Sequence, residues 1–161
     1  MSLVIDTLHT STITEELNDA EVEILAGLFE VRDFKSGDII TKPSDASHDN
    51  LFILAYGDIE VKIISSGEET TIHVLKPGDL AGIITFVGGP ASHHSATLYA
   101  TGDTKVLSLE RVRFETLINS HPMIVYKVMR GVVRNLHGIV RRINVQSTEL
   151  SNYIFRTHGR Y

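Results

Sequence analysis

Residues 49–64, DNLFILAYGDIEVKII, decide the fold class that this sequence predicts. Two apolar runs flank Gly57 and Asp58, and this pattern is typical of a β-hairpin with a tight turn. Short apolar runs broken by turn residues continue on both sides, over about 30–109, with a turn about every 8–12 residues. We count about eight short strands in this region. We therefore expect a mainly β protein with flanking helices, built on a β jelly-roll (double-stranded β-helix) barrel.

Helical periodicity replaces the β pattern at both ends of the chain. Asn18 followed by Glu21 predicts a capping box at the start of a helix over about 18–28. After the β region, a short helix is expected to end near His121, because a residue that precedes proline avoids the helical conformation. The chain is therefore divided into a flexible N-terminus, a β-roll domain and a long C-terminal helix with a tail, over residues 1–14, 15–122 and 123–161.

The long C-terminal helix, expected over about 123–153, carries a heptad pattern. Its apolar positions alternate between spacings of four and three residues, which is the pattern of a coiled-coil seam. The seam consists of Val125, Met129, Val132, Leu136, Ile139 and Ile143, and it continues through Gln146, Leu150 and Tyr153. A helix of about 30 residues is about 45 Å long, which exceeds the width of so small a barrel. We therefore expect a homodimer through this helix.

Two glycines, Gly131 and Gly138, lie inside the same helical segment. Each glycine costs about 1 kcal/mol in a helix interior relative to alanine. We expect them to permit a close backbone approach on one side of the helix.

Composition and charge exclude several classes of function. The chain of 161 residues has no cysteine, which excludes disulfides, iron–sulfur clusters, thiolate zinc sites and cysteine nucleophiles. No secretory signal and no membrane span is predicted, so a cytoplasmic protein is expected. Residues 1–122 hold 8 Lys and Arg against 19 Asp and Glu, whereas residues 123–161 hold 7 against 1. An acidic body with a basic tail disfavours non-specific nucleic-acid binding by the body.

The stretch 77–97, PGDLAGIITFVGGPASHHSAT, is the candidate ligand-binding loop. A loop that binds phosphate needs exposed backbone N–H groups at a helix start, together with a cation. Gly82 can free such groups at the start of IITFV. The stretch contains no lysine or arginine, and its only cationic candidates are His93 and His94, which are mostly neutral at pH 7. Phosphate bound here would therefore lack a permanent positive charge.

The order of these elements resembles the cyclic-nucleotide-binding domain family, as in Crp/Fnr-type regulators. The resemblance covers about residues 15–150 and depends on four segments: FKSGDIITKPSD, LFILAYGDIEVKI, LKPGDLAGI and LERVRFETLINSHP. The third segment is similar to the start of the family's phosphate-binding cassette, and it implies a cassette formed by Gly82, Ile83, His94, Ser95 and Ala96. The resemblance implies a non-enzymatic, ligand-sensing or regulatory module that has no catalytic residues, no cofactor and no metal.

The cassette departs from the family pattern at the two positions that grip the ligand. The family has a glutamate that accepts a hydrogen bond from the ribose hydroxyl, and an arginine on the cyclic phosphate. Here the corresponding positions hold Ile83 and His94. Loss of a charged partner from a buried phosphate site costs about 2–5 kcal/mol. We therefore expect no tight binding of cAMP or cGMP, and a pocket that is empty, apolar or suited to another small anionic or nucleotide-like ligand.

Two other interpretations stay open from the sequence. A cupin-like metal-dependent enzyme acting on a small molecule would need a cluster such as His48, His73 and His94. His93 and His94 are adjacent, so on a strand they point to opposite faces and do not readily share one metal. The other interpretation is a scaffold that only dimerises. Sequence-specific DNA binding is not expected, because the residues after Tyr153 are too few for a helix-turn-helix.

Overall fold

The protein folds as a β-roll of two four-stranded antiparallel sheets, flanked by helices. The computed structural model describes residues 2–43, 49–88 and 96–158, without the side chains of residues 143, 153 and 155–158. The strands are β1 (Glu30–Phe34), β2 (Ile39–Thr41), β3 (Asn50–Tyr56), β4 (Ile59–Ser65), β5 (Glu68–Leu75), β6 (Leu80–Ala81), β7 (Thr97–Ala100) and β8 (Thr104–Glu110). One sheet has the order β1-β8-β3-β6 and the other β2-β7-β4-β5. The predicted fold class is confirmed.

The first sheet contributes its two faces to two different cores. On β3, Leu51 and Ile53 belong to the apolar cluster beneath the helices. The alternate residues Phe52 and Leu54 belong, with Val106 of β8, to the cluster between the two sheets. Side chains alternate between the faces of a strand, so the β3 residues on the same face as Phe52 and Leu54 point into the roll between the sheets.

The hairpin predicted at Gly57 is wrong, because its two flanking strands belong to different sheets. β3 pairs with β6 and β8, whereas β4 pairs with β5 and β7. Gly57 carries the chain from one sheet to the other at φ 93°, and a Cβ there would lie 2.6 Å from the carbonyl oxygen of Asp103. The tight hairpin is the next one, β4 to β5, whose turn residues Ser66 and Gly67 have φ values of 55° and 82°. Positive φ at both positions is the type I′ geometry that matches the twist of paired strands.

The N-terminal residues are helical and packed, where the sequence led us to expect a flexible segment over 1–14. They form α1 (Ser2–His9) and a 3₁₀ turn (Thr12–Thr14). Leu8 and Ile13 are fully buried in the cluster beneath the helices. The sequence signal was weak because an eight-residue helix is too short for its apolar period to stand out.

The remaining helices are α2 (Asp19–Ala26), α3 (Ile83–Val87), α4 (Arg111–Glu115), α5 (Leu117–Ser120) and α6 (Pro122–His158). The predicted capping box of α2 is present, with Asn18 accepting from the Glu21 N–H at 2.9 Å and Glu21 accepting from the Asn18 N–H at 3.1 Å. Pro122 is the first residue of α6, a position where its missing N–H has no cost. Within the described ranges, no helix is both long and apolar enough to cross a lipid bilayer.

Helix α6 packs on its own domain through its N-terminal third. Ile124, Val128 and Val132 are at most 2% exposed. Gly131 approaches the 3₁₀ turn so closely that a Cβ would lie 2.5 Å from the Ile13 Cα, whereas a Cβ on Gly138 would have nothing within 4 Å. The close approach expected for Gly131 is therefore an approach to its own chain.

The predicted dimer seam needs a correction at this end of α6. Val132 was assigned to the seam, but it is buried in the domain's own core, and Val125 and Met129 are partly buried against the same core. A heptad pattern in sequence cannot distinguish contact with a partner from contact with the same chain. The first of these seam positions therefore stabilise the domain itself.

Ion pairs hold the same part of α6 against the segment around α2. The Arg130 Nε donates to Glu16 at 3.0 Å, and the Lys127 Nζ lies 3.0 Å from Glu21. The hydrogen bond from Arg130 holds the pKa of Glu16 below its ordinary value. The Asn18 backbone N–H, and then Lys127, lower the pKa of Glu21 in the same way.

Candidate functional site

The predicted cassette begins at α3, where the chain leaves the roll after β6. Gly82 is the N-cap of α3 and adopts a left-handed conformation with φ 78°. A Cβ on Gly82 would lie 2.5 Å from the carbonyl oxygen of Asn50 and 3.3 Å from the Phe52 ring. Both the positive φ and this close approach require glycine. The N–H groups in the first turn of a helix have no partner inside that helix, and an anion can use them.

Ile83, the first residue of α3, lies in the apolar cluster beneath the helices. It is 7% exposed, and Leu51 and Phe86 belong to the same cluster. A carboxylate in this environment would be desolvated without a partner. The position at which the resemblance implies a ribose acceptor is therefore occupied by a core side chain, and the described part of the cassette offers a ligand only backbone groups there.

A permanent cation lies beside the cassette, but at the opposite end of α3. The guanidinium of Arg111 occupies the space that a Cβ on Gly88 would need. Its Nη2 donates to Asp49 at 2.6 Å, and its Nε lies 3.6 Å from Glu115. Two carboxylates therefore balance this charge. Sequence reasoning missed Arg111 because it lies outside 77–97 and is brought to the cassette only by the fold.

The second half of the predicted cassette falls mostly outside the described residues. His94 and Ser95 lie there, so their placement at a ligand stays a prediction. Ala96 is described and immediately precedes β7. The candidate site that the structure describes therefore consists of Gly82, Ile83 and Ala96.

The histidine cluster of the metal-enzyme interpretation is tested only in part. His48 and His93, like His94, lie outside the described residues. His73 is exposed on β5, where it stands opposite Val61. In the parts of the chain that the structure describes, no group of three or more His, Cys, Asp and Glu could hold a metal ion.

Polar side chains line the roll at the end next to the cassette. Asn50 lies on the face of β3 that points into the roll, and Ser108 and Glu110 lie on the corresponding face of β8. Further along the same two faces, Leu54 and Val106 belong to the apolar core between the sheets. Sequence reasoning missed the three polar residues, although polar side chains at the inward-facing positions of a two-residue period are a usable signal.

The family model for the cyclic nucleotide-binding domain matches residues 31–121. This chain belongs to the cyclic nucleotide-binding domain family. The resemblance to Crp/Fnr-type sensor domains is confirmed, and the match runs from β1 through the cassette to the end of α5. Members of this family are regulatory binding domains, which agrees with the non-enzymatic sensor expected from the sequence.

Relatives of this cyclic nucleotide-binding domain include enzymes and transcription factors. A cGMP-dependent protein kinase of Eimeria tenella is 34% identical over 108 residues, covering 67% of this chain and 10% of the kinase. The HTH-type transcriptional regulator Cmr of Mycobacterium tuberculosis is 26% identical over 120 residues, covering 74% of this chain and 48% of the regulator. The domain thus spans about half or less of the length of these curated relatives.

Among solved structures, a cyclic nucleotide-binding domain from Methylobacillus flagellatus KT superposes with a TM-score of 0.77 at 18% identity. The superposition covers 88% of this chain and 78% of the other. At this identity the likeness establishes the fold, including the two-sheet roll.

Proposed function

We propose that this domain is a dimeric ligand-sensing regulatory module whose cassette binds cAMP and cGMP weakly or not at all. The observation that supports the weak binding is the burial of Ile83, which is 7% exposed in an apolar cluster. A cyclic nucleotide would find the N–H groups of α3, but no carboxylate for its ribose at that position. The guanidinium of Arg111 lies at the other end of α3 and is engaged by Asp49 and Glu115.

Isothermal titration with cAMP and cGMP tests this proposal. We expect no binding in the micromolar range at pH 8, where histidine is neutral. The same titration at pH 6 shows whether a protonated His94 takes the role of a cassette arginine, in which case a weak affinity appears that His94→Ala removes. Micromolar or tighter binding of either nucleotide at pH 8 would refute the proposal.

The exposed part of α6 supports a homodimer. Beyond Val132, large apolar side chains of α6 are open to solvent, among them Val133 at 61%, Val140 at 51% and Leu150 at 60%. The series Tyr126, Met129, Val133, Leu136, Val140, Ile143, Ser147, Leu150 and Ile154 alternates between spacings of three and four residues. It shares Met129, Leu136, Ile143 and Leu150 with the predicted seam. Tyr126 and Val133 take the places of Val125 and Val132, which pack on the domain's own core. A second copy of α6 carries the same apolar series with the same spacing, so it is the partner that fits this surface.

A matched pair of valines tests the dimer and its register. Val140 and Val145 are each 51% exposed on α6, but only Val140 lies on the proposed seam. We expect sedimentation equilibrium of the full chain to give twice the mass of 17.8 kDa. Val140→Glu should give the monomer mass, because it places a charge on each side of a closed seam, whereas Val145→Glu should remain dimeric. A monomeric wild-type chain, or equal effects of the two substitutions, would contradict the proposed interface.

A further inference from the structure

A cleft of about 620 Å³ opens at the polar end of the roll. It lies between β2 and the inward-facing residues of β1, β3 and β8. Gly82 and Ile83 do not line it, although Asn50 and Phe52 separate it from the start of α3. The cleft is therefore adjacent to the cassette and separate from it.

The inward-facing surface of the cleft is unusual because it is polar. A roll normally fills its interior with apolar side chains. Here Ser108 is 6% exposed and Thr41 is 4% exposed, so both hydroxyls are held in the protein interior. Phe52 and Ile40 supply an apolar wall at 3% and 5% exposure. Convergent polar groups beside an apolar wall are typical of a small-molecule site.

Two hydrogen-bond acceptors in the cleft have no donor within residues 2–43, 49–88 and 96–158. The Asn50 Oδ1 is buried and has no hydrogen-bond partner among the described residues. Glu110 stands directly opposite Asn50 in the β3–β8 register and is exposed at the mouth of the cleft. Within the same part of the chain its carboxylate makes no ion pair. Directly opposite residues have Cβ atoms about 4.5–5.5 Å apart. The two side chains are therefore neighbours across the strand pair, so a single ligand with several N–H groups can contact both.

Two of the three basic residues of the cleft, Lys42 and Arg113, interact with other groups. Arg113 donates to Glu30 at 3.2 Å. The Arg32 guanidinium lies over the Phe34 ring at 5.1 Å, and Lys42 takes part in an interaction of its own. Beside Asn50 and Glu110, the side-chain groups without a partner among the described residues are therefore acceptors, and they call for a donor with several N–H bonds.

We propose that this cleft binds a protonated amine or guanidinium carried on a short alkyl chain. The Asn50 Oδ1 and the Glu110 carboxylate accept its N–H groups, and Ser108 lies beside them on β8. The alkyl chain packs against Phe52 and Ile40. Such a ligand satisfies a buried acceptor that no described residue pairs with, and burial without a partner is costly for that acceptor.

Isothermal titration of the full chain with agmatine and putrescine tests the proposal, and sodium propionate serves as an anionic probe. We expect binding of the two amines and none of propionate. Glu110→Gln should weaken amine binding by about tenfold or more, because a hydrogen bond between two charged groups becomes one to a neutral amide. Glu23→Gln, the same change at an exposed site on α2, should leave the affinity unchanged.

A second measurement uses wild-type protein only, so its result does not depend on whether a variant folds. In ¹H–¹⁵N spectra of wild-type protein, agmatine should shift the amides of Asn50, Ser108 and Glu110 and leave those of α6 unmoved. Absence of amine binding, equal affinity of Glu110→Gln and wild type, or shifts confined to other regions would overturn it. Cyclic nucleotides are absent from these samples, so their binding or failure to bind leaves the outcome unaffected.

Discussion

Replacement of Gly131 by alanine should destabilise the protein, and the same replacement at Gly138 should stabilise it. Both glycines lie inside α6, seven positions apart, so both substitutions gain the same helix propensity, about 1 kcal/mol. They differ in the space available. A Cβ on Gly131 would lie 2.5 Å from the Ile13 Cα and 2.7 Å from the Thr12 carbonyl oxygen, whereas one on Gly138 meets nothing within 4 Å.

The expected size follows from these contacts. The atoms near Gly131 belong to backbone, which cannot move aside as the end of a flexible side chain can. Overpacking of this kind costs about 1–3 kcal/mol, so the gain in propensity leaves a net loss of about 0–2 kcal/mol for Gly131→Ala. Gly138→Ala should gain about 1 kcal/mol. The propensity cancels in the difference between the two variants, which should be about 1–3 kcal/mol.

Urea and thermal unfolding at one fixed protein concentration measure this difference, because any oligomer makes stability depend on concentration. For a chain of this size, 1 kcal/mol corresponds to about 2–4 °C in Tm. Gly138→Ala is the internal control, since it repeats the chemistry without the contact. Equal stabilisation by the two substitutions would refute the close packing of α6 on the 3₁₀ turn.

Two further predictions concern a turn and an ion pair. Gly57→Ala should lower the free energy of unfolding in urea clearly more than Gly67→Ala does. Both positions have positive φ, but only at Gly57 would the new Cβ lie 2.6 Å from a carbonyl oxygen, that of Asp103. Equal losses of stability would exclude the clash. Because Arg130 lowers the pKa of Glu16, the stability from this pair is complete above the ordinary glutamate pKa of about 4.3 and is lost as the pH falls through the lowered value. Denaturation series from neutral to acid pH should therefore show a smaller acid loss for Glu16→Gln than for wild type, and parallel profiles would contradict the pairing.

Local sequence signals were sufficient for the elements but not for their pairing. The strand count, the capping box at Asn18 and the glycine at the start of α3 each depend on neighbouring residues, and the structure contains all three. Gly57-Asp58 predicted a hairpin because a tight turn and a crossover between sheets both need a residue with positive φ. The pairing is decided by β8, which lies between β1 and β3 and is about 50 residues away along the sequence.

The candidate site shows the same limit. The departure at Ile83 was visible in the sequence, whereas its burial beneath the helices depends on how α3 packs. Arg111 could not be foreseen at the cassette, because no residue of 77–97 indicates which distant cation will lie beside Gly88. Asn50 and Glu110 form a pair only through the antiparallel register of β3 and β8, which the sequence does not state.

Helix α3 is joined to the C-terminal helices at two points, and this connection bears on how the domain could signal. The Phe86 and Phe114 rings lie 5.5 Å apart, and both side chains are at most 3% exposed. The Arg111 guanidinium packs against Gly88 and is paired with Asp49, the residue that precedes β3. Because close-packed interiors transmit displacements, we expect a movement of α3 to displace α4 as well. We infer that a ligand favouring one position of α3 acts through α4 and α5 on the start of α6, and so on the helix that we propose as the dimer contact.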